Sequence, residues 1–169
     1  LVVDTGATGG NITIAEIAGT SQETVTLDAG TGTTSVGVIG SGTEIGTLSI
    51  GSAENGGITL NGAITTDGVI TIDGPITLAT AAITITTADD NINLQGTVDG
   101  GKALTLASGS GAVTVDGAIG SSTALTSLTV NSSGTGTIEI TNIGTTNAAG
   151  VTGATAIGNT NTATLTLDG

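Results

Sequence analysis

Three features of the sequence predict an all-β protein with the architecture of a right-handed parallel β-helix. A motif of one aliphatic or β-branched triplet, a polar corner and one further aliphatic residue recurs, as at residues 58–64, 92–98 and 113–119. The copies follow one another at intervals in the low twenties, a spacing that is typical of repeat proteins. The large apolar side chains are all aliphatic, because the chain contains no Phe, Tyr, Trp, Met or Cys. Such side chains suit an interior that is only a few residues wide.

Each triplet alternates apolar, polar and apolar residues, which is the pattern of a short strand with one buried face. A simpler leader triplet precedes most copies of the motif; the triplet that starts at Leu104, for example, precedes the copy that starts at Val113. Segments rich in Gly, Asn, Asp and Ser separate the triplets and indicate turns. The sequence therefore predicts about seven coils of about 21–25 residues, each with three short strands and no helix. The third strand of a coil is expected around the last aliphatic residue of the motif.

The alternation also predicts which side chains face the core and which face solvent. The predicted core residues are Ile12, Ile14, Val25, Leu27, Leu48, Ile50, Ile58, Leu60, Ile64, Ile83, Ile85, Ile92, Leu94, Val98, Leu104, Leu106, Val113, Val115, Ile119, Leu128, Val130, Ile138, Ile140, Ile143, Leu165 and Leu167. The middle residues of the triplets are predicted to form an outward threonine ladder, made of Thr26, Thr59, Thr84, Thr105, Thr114, Thr129 and Thr166.

Residues 1–169 are predicted to form one solenoid segment of a longer repeat array, since the chain starts in an apolar run and stops inside a motif copy. Residues 65–82 are expected to form a widened coil that breaks the register, because the interval from Ile58 to Ile92 is about one and a half periods. Pro75 lies in this stretch and cannot donate to a β-ladder. Residues 144–164 are also irregular, with Val151 and Ile157 as expected inward anchors.

Charge excludes several classes of partner. The formal net charge is −13, and Lys102 is the only basic residue. Nucleic acids and anionic lipids are bound by basic patches, so neither is expected as a partner. No apolar run approaches the roughly 18–20 residues that span a bilayer. Disorder is not expected either, because mean hydropathy is +0.41 and the apolar residues are regularly placed.

One pair of carboxylates is a candidate for chemistry. Asp89 and Asp90 are the only adjacent pair of acids, and paired carboxylates serve glycoside hydrolysis and metal binding. They stand in a polar turn, where Asp is favoured for local hydrogen bonding. A polysaccharide-cleaving β-helix would also be expected to line its groove with aromatic and basic residues. The chain is therefore not expected to be an enzyme.

Calcium is the metal that the available ligands could bind, since oxygen ligands are present while His and Cys are absent. Nonapeptide calcium repeats require Gly-Gly-x-Gly-x-Asp in tandem, and residues 8–11 and 99–102 are only fragments of that motif. The aspartates that follow strands are explained by turn geometry: Asp28, Asp73, Asp116 and Asp168. No cofactor is predicted, and a calcium-stabilised secreted repeat domain is kept as an alternative.

Outward threonines suggest another alternative, an ice-binding or carbohydrate-binding β-helix. Flat threonine faces are how some β-helical antifreeze proteins engage ice, with two outward threonines per strand. Thr-x-Thr occurs here only sporadically, for example at 24/26, 84/86 and 164/166. Threonine is also simply a soluble strand former that hydrogen-bonds along a ladder.

With these motifs, the chain resembles the filamentous-haemagglutinin-like and autotransporter-like repeat regions of large bacterial surface proteins. The resemblance depends on residues 58–64, 92–98 and 113–119 with their leader triplets, and it covers most of the chain. It implies an extracellular or cell-surface location and a role as a stalk, fibre or adhesive shaft. Self-association or continuation into a filament and contacts with surface glycans are the expected interactions. No catalytic residue is transferred, because those repeat regions have no catalytic motif to match.

Overall fold

A computed structural model describes residues 1–51, 56–80, 82–131, 133–146 and 150–168. Within them the chain forms β-strands and turns without helix. In chain order the strands are β1 (Val2–Asp4), β2 (Ile12–Ile17), β3 (Val25–Asp28), β4 (Thr34–Ile39), β5 (Leu48–Gly51), β6 (Ile58–Leu60), β7 (Ile64–Thr66), β8 (Ile70–Asp73), β9 (Ile76–Leu78), β10 (Ala82–Thr87), β11 (Ile92–Leu94), β12 (Val98–Asp99), β13 (Ala103–Ala107), β14 (Val113–Ile119), β15 (Ser127–Val130), β16 (Ile138–Ile143), β17 (Thr155–Ile157) and β18 (Leu165–Leu167).

The strands stack in parallel, and each strand inside the stack pairs with the strand one turn earlier and the strand one turn later. On the first face the order is β1, β3, β5, β8, β11, β14, β16 and β18. The shortest step between partners on this face joins Ile92 to Val113, and the longest joins Ile138 to Leu165. The chain therefore winds as a β-solenoid, as the sequence predicted. The right-handed sense of the winding stays a prediction.

Two further faces complete each turn. The second face stacks the start of β2 and β4, then β6, β9, β12 and the ends of β14 and β16. The third face stacks the ends of β2 and β4, then β7, β10, β13, β15 and β17. About six full turns have all three faces stacked, slightly fewer than the seven predicted. Each turn thus has three short stretches of strand.

One aliphatic cluster runs through the whole stack, and most of the predicted core residues belong to it. Four predicted core residues are not buried in this cluster. Ile14 and Ile143 are half-buried and pack against the cluster, whereas Leu165 and Leu167 are 46% and 54% exposed. The two leucines pair in register with buried Ile138 and Ile140, but no described strand lies beyond them. Half-buried Val151 and Ile157 also pack against the cluster, while residues 147–149 lie outside the described residues.

The predicted division into leader and motif triplets is wrong in one half of the chain. Leader triplets 25–27 and 48–50 share the first face with motif triplets 92–94, 113–115 and 138–140. The remaining leaders stack on the third face instead. All triplets share one aliphatic–polar–aliphatic pattern, so the pattern does not distinguish one face from another.

The expected widened coil at residues 65–82 is also not found. Ile70 lies midway in sequence between Leu48 and Ile92, and it pairs in register with both. Strand β8 is therefore an ordinary first-face strand, and the described residues of this segment, 65–80 and 82, belong to turns of normal length. Pro75 is exposed at the corner before β9, and its carbonyl accepts the Ile58 N–H at 2.7 Å. Its corner position agrees with its lack of an N–H.

A column of buried hydroxyls lines the corner between the third and first faces, and the sequence analysis missed it. Thr66, Thr87 and Ser108 recur at intervals of one turn and are at most 2% exposed. Each hydroxyl donates to a carbonyl two or three residues ahead, at 2.5 to 2.6 Å. In the next turn Asn131 donates to the Gly109 carbonyl and accepts the Ser108 N–H. These bonds satisfy backbone groups that a tight corner leaves without ladder partners.

Thr34 is buried without any hydrogen-bond partner for its hydroxyl. It occupies a core position between Ile12 and Ile58 on the second face. An unsatisfied buried hydroxyl costs about 1–3 kcal/mol. We therefore expect Thr34→Val, which keeps the shape, to increase the free energy of unfolding by about 1–2 kcal/mol. Thermal denaturation followed by circular dichroism should show Tm rising by about 4 °C.

The control for this prediction is Thr66→Val, which makes the same chemical change at an equally buried position. The Thr66 hydroxyl donates to the Gly68 carbonyl at 2.5 Å, so its loss leaves that carbonyl unpaired. This variant should therefore lower Tm. Shifts of the same sign in the two variants would contradict the assignment of Thr34 as the unsatisfied group.

Candidate functional site

The seven threonines predicted to form one outward ladder lie on three different faces. Thr26, Thr114 and Thr166 lie on the first face, and Thr59 lies on the second. The other three, Thr84, Thr105 and Thr129, pair directly with one another on the third face. All seven are half-buried or exposed, so their outward orientation agrees with the prediction. The prediction of a single ladder is wrong, because successive triplets belong to different faces.

The first face has the longest regular outward surface in the described part of the chain. Its central outward column contains, from the first turn to the last, Val2, Thr26, Ser49, Thr71, Asn93, Thr114, Glu139 and Thr166. The residue two positions earlier points to the same side of a strand. These residues form a second column, made of Thr24, Thr47, Val69, Asn91, Ala112, Thr137 and Thr164. The Thr47 hydroxyl donates to the Thr24 hydroxyl at 3.2 Å, which directly links two levels of this column.

Acidic residues end three strands of the first face, β1, β3 and β8, at its corner with the second face. Asp4 pairs with Asp28, and Asp73 pairs with Gly51. Asp4 and Asp28 each accept the N–H two residues ahead, at 2.7 and 2.8 Å, as expected for turn aspartates. Among the described residues, no three or more His, Cys, Asp or Glu side chains are grouped so that they could hold a metal ion.

Asp89, one of the paired candidate carboxylates, connects two turns of the solenoid. Its Oδ1 accepts the Ser110 N–H at 2.8 Å, one turn further along the chain. The hydrogen bonds from the Ser110 backbone and side chain lower the pKa of Asp89. The neighbouring Asp90 accepts the Thr87 hydroxyl through its backbone carbonyl. Both residues therefore contribute to the corner itself.

Asp99 and two asparagines make similar connections that the sequence analysis missed. Asp99 Oδ1 accepts the N–H groups of Ser122 and Thr123 at 2.7 and 2.9 Å, and Oδ2 accepts the Ser121 hydroxyl. Asn91 accepts the Ala112 N–H at 2.8 Å, and Asn11 accepts the Thr33 N–H at 3.0 Å. The available signal was the spacing, since donor and acceptor lie about one period apart in all these pairs.

Glu23 closes a turn on the surface and has a strongly perturbed pKa. The Thr20 hydroxyl donates to its carboxylate, and the N–H groups of Thr20 and Ser21 donate to it at 3.0 to 3.1 Å. These bonds lower the pKa of Glu23 to about 2. The charged carboxylate therefore stabilises the turn fully above pH 4.5, and this contribution is lost as the pH falls through about 2.

We expect an NMR titration of the Glu23 carboxyl group to give a midpoint near pH 2. Replacing Thr20 by Val removes the hydroxyl that contributes most to the shift, so the midpoint should move toward 4.5. Ser110→Ala, at a distant corner, serves as the control and should leave the Glu23 midpoint unchanged. An unchanged midpoint in Thr20→Val would show that the turn in solution differs from the one described.

A cavity of about 550 Å³ lies at one end of the described stack. It is lined by consecutive residues of the turn that contains β16, together with Leu167 and Asp168. Its floor is the half-buried Ile143 and the buried Ile140. It lies over the second-face end of β16 and beside β18, where no described strand stacks on Ile143. The cavity is therefore a feature of solenoid stacking rather than a groove across the outward surface.

The geometry defines the protein as a parallel β-solenoid with an aliphatic core and a polar, acidic surface. A scan against protein-family models found no match, and searches of the curated proteins and of the solved structures found none either. The described part of the chain contains no apolar helix of the length that a membrane crossing requires.

Proposed function

We propose that this chain is a structural segment of an extracellular bacterial surface fibre or giant adhesin, in which stacked coils act as a mechanical scaffold. The observation that supports this role is the continuity of the stack. Parallel ladders run along all three faces, and a single aliphatic cluster fills the interior from turn to turn. A scaffold of this kind gains length simply by adding turns, since each turn contacts only its neighbours.

Surface chemistry supports the same proposal. Fourteen acidic residues against one basic residue keep neighbouring fibres apart by charge repulsion and maintain solubility. Polar side chains, mainly Thr, Ser and Asn, cover the outward columns of the first face. The resemblance to filamentous-haemagglutinin-like repeat regions points to the cell surface, with filament contacts and surface glycans as partners. No residue is assigned a catalytic role in this proposal, and no cofactor is needed for it.

The proposal is tested by locating the protein on the cells that produce it. Antibodies raised against the folded chain should label unpermeabilised cells in immunogold electron microscopy, on structures that extend from the surface. External protease should remove the label while a cytoplasmic marker stays intact. Label that appears only after permeabilisation would overturn the proposal.

A second candidate function is ice binding, which the two outward columns of the first face favour. The structure brings the Thr-x-Thr pairs 24/26 and 164/166 onto this one face, whereas the sequence had shown them only as scattered pairs. Levels are about 4.8 Å apart along the stack, and alternate residues of a strand are about 6.6 Å apart across it. Such a grid of small hydrogen-bonding groups could match the repeat of an ice surface.

Ice binding is tested by thermal hysteresis in a nanolitre osmometer. Thr71→Lys places a long charged chain in the middle of the first face and should abolish the activity. Thr105→Lys makes the same change on the third face and should leave it intact. Absence of ice shaping by the unmodified chain, or equal effects of the two substitutions, would contradict this function.

A further inference from the structure

We propose that the solenoid lengthens under axial tension by releasing one coil at a time, so that it works as an extensible tether. This inference rests on the proposed mechanical function for its biological meaning. Its physical basis is the order of the contacts along the chain. On the first face every strand between β1 and β18 pairs with the strands one turn before and one turn after it, as β11 does with β8 and β14. The loss of one terminal coil therefore leaves the pairing of the coils beyond its neighbour intact.

The direction of the hydrogen bonds favours peeling. Strands lie across the axis of the stack, so the bonds between turns, such as Ile70 N–H to Asn91 O at 3.0 Å, run along it. A pull along the axis loads the outermost bonds of one coil first rather than all bonds at once. The peptide groups of that coil then open one after another. Each open peptide group is hydrated as it is released, which limits the force that any single step requires.

The side-chain bonds follow the same order. Asp89, Asn91 and Asp99 all hold the turn that comes next along the chain. Gln22 donates to Asp67 and reaches across two turns, but both side chains lie at the surface. The chain contains no Cys, so no disulfide joins its turns. Nothing covalent therefore prevents successive coils from opening separately.

The expected gain in length is set by the coil period. A coil of about 22 residues extends to about 75 Å when its backbone is pulled straight. It occupies only about 4.8 Å of the folded stack. Each event should therefore lengthen the chain by about 70 Å, more than ten times the length that the coil had occupied.

Optical tweezers with handles at the two ends of the chain test the inference. We expect a series of extension steps, each equivalent to one coil of about 20–27 residues. A single event that releases the whole chain, or a few large events of unrelated size, would overturn it. The result does not depend on where the protein acts in the cell, so its failure is distinguishable from failure of the surface-fibre proposal.

A designed crosslink makes the test sharper. Thr84 and Thr105 are partners on neighbouring strands of the third face, and both side chains point outward. Parallel neighbours lie close enough for a disulfide, so Thr84→Cys combined with Thr105→Cys should join two turns. Oxidation should remove one single-coil step from the trace, and reduction should restore it. The single Thr84→Cys variant should keep every step, and an oxidised trace with the full set of steps would overturn the proposal.

Discussion

Leu94→Asp is expected to prevent folding of the central turns. Leu94 is 1% exposed and is stacked between Ile72 and Val115 on the first face. The substitution removes about 2–3 kcal/mol of apolar burial and places a carboxyl group among aliphatic side chains, which cannot hydrogen-bond to it. The combined loss of about 4–6 kcal/mol is comparable to the whole stability of many domains. Circular dichroism of the purified variant should show loss of the β-sheet signal, and soluble yield should fall.

The matched control is Asn93→Asp, one residue earlier on the same strand. Asn93 is half-buried in the outward column, and its neighbours one turn away are Thr71 and Thr114, neither of which is charged. A carboxylate of the same size can therefore stay hydrated, and the expected change is below about 0.5 kcal/mol. Equal tolerance of the two substitutions would mean that the strand does not have one inward and one outward side.

The contrast between these neighbours explains why so much of the core could be predicted from the sequence. A strand alternates its side chains with a period of two, so a triplet such as 92–94 has only two orientations. Hydrophobic burial decides between them. The same reasoning placed Ile58, Leu104 and Val130 in the core, where all three are at most 1% exposed. Alternation is a local property. A wrong assignment of a triplet to a face therefore does not change which of its side chains are predicted to be buried.

The assignment of triplets to faces could not be predicted from the sequence, because triplets on different faces are chemically similar. Residues 48–50 and 83–85 both look like leaders, yet they lie on the first and third faces. Corner lengths decide the face, and corners vary: the step from Ile64 to Ile85 is clearly shorter than the step from Leu128 to Thr155. Only the pairing of strands one turn apart shows which face each triplet lies on.

The candidate site was limited by the same ambiguity. The outward threonines were identified correctly as outward, but Thr59 and Thr26 belong to different surfaces. The polar groups that connect turns, such as Asp99 and Asn91, looked like ordinary turn residues. The donor and the acceptor of each of these hydrogen bonds are about one period apart in sequence. Such pairs can therefore be recognised only when the length of each turn is known.

Gly96→Ala is the second substitution with a large expected effect, and it tests how closely the turns approach at a corner. Gly96 lies between β11 and β12, directly above Gly74. A Cβ atom at position 96 would lie 2.0 Å from the Gly74 carbonyl oxygen and 2.2 Å from its carbon, both of which are backbone atoms. Neither can move aside without shifting the whole turn. We expect a loss of about 3 kcal/mol, seen as a fall in Tm of about 10 °C.

Gly10→Ala is the control, because a Cβ atom there would meet Thr5 Cβ at 3.5 Å, an ordinary contact distance. Its expected effect is within about 0.5 kcal/mol. The difference between the two glycines concerns space rather than flexibility, since neither has a left-handed backbone conformation. Gly117 repeats the close approach one turn later, where a Cβ atom would lie 2.3 Å from the Gly96 carbonyl. If Gly96→Ala were as mild as Gly10→Ala, the turns at this corner would have to be further apart, and the parallel ladders of the first and second faces could not both be continuous.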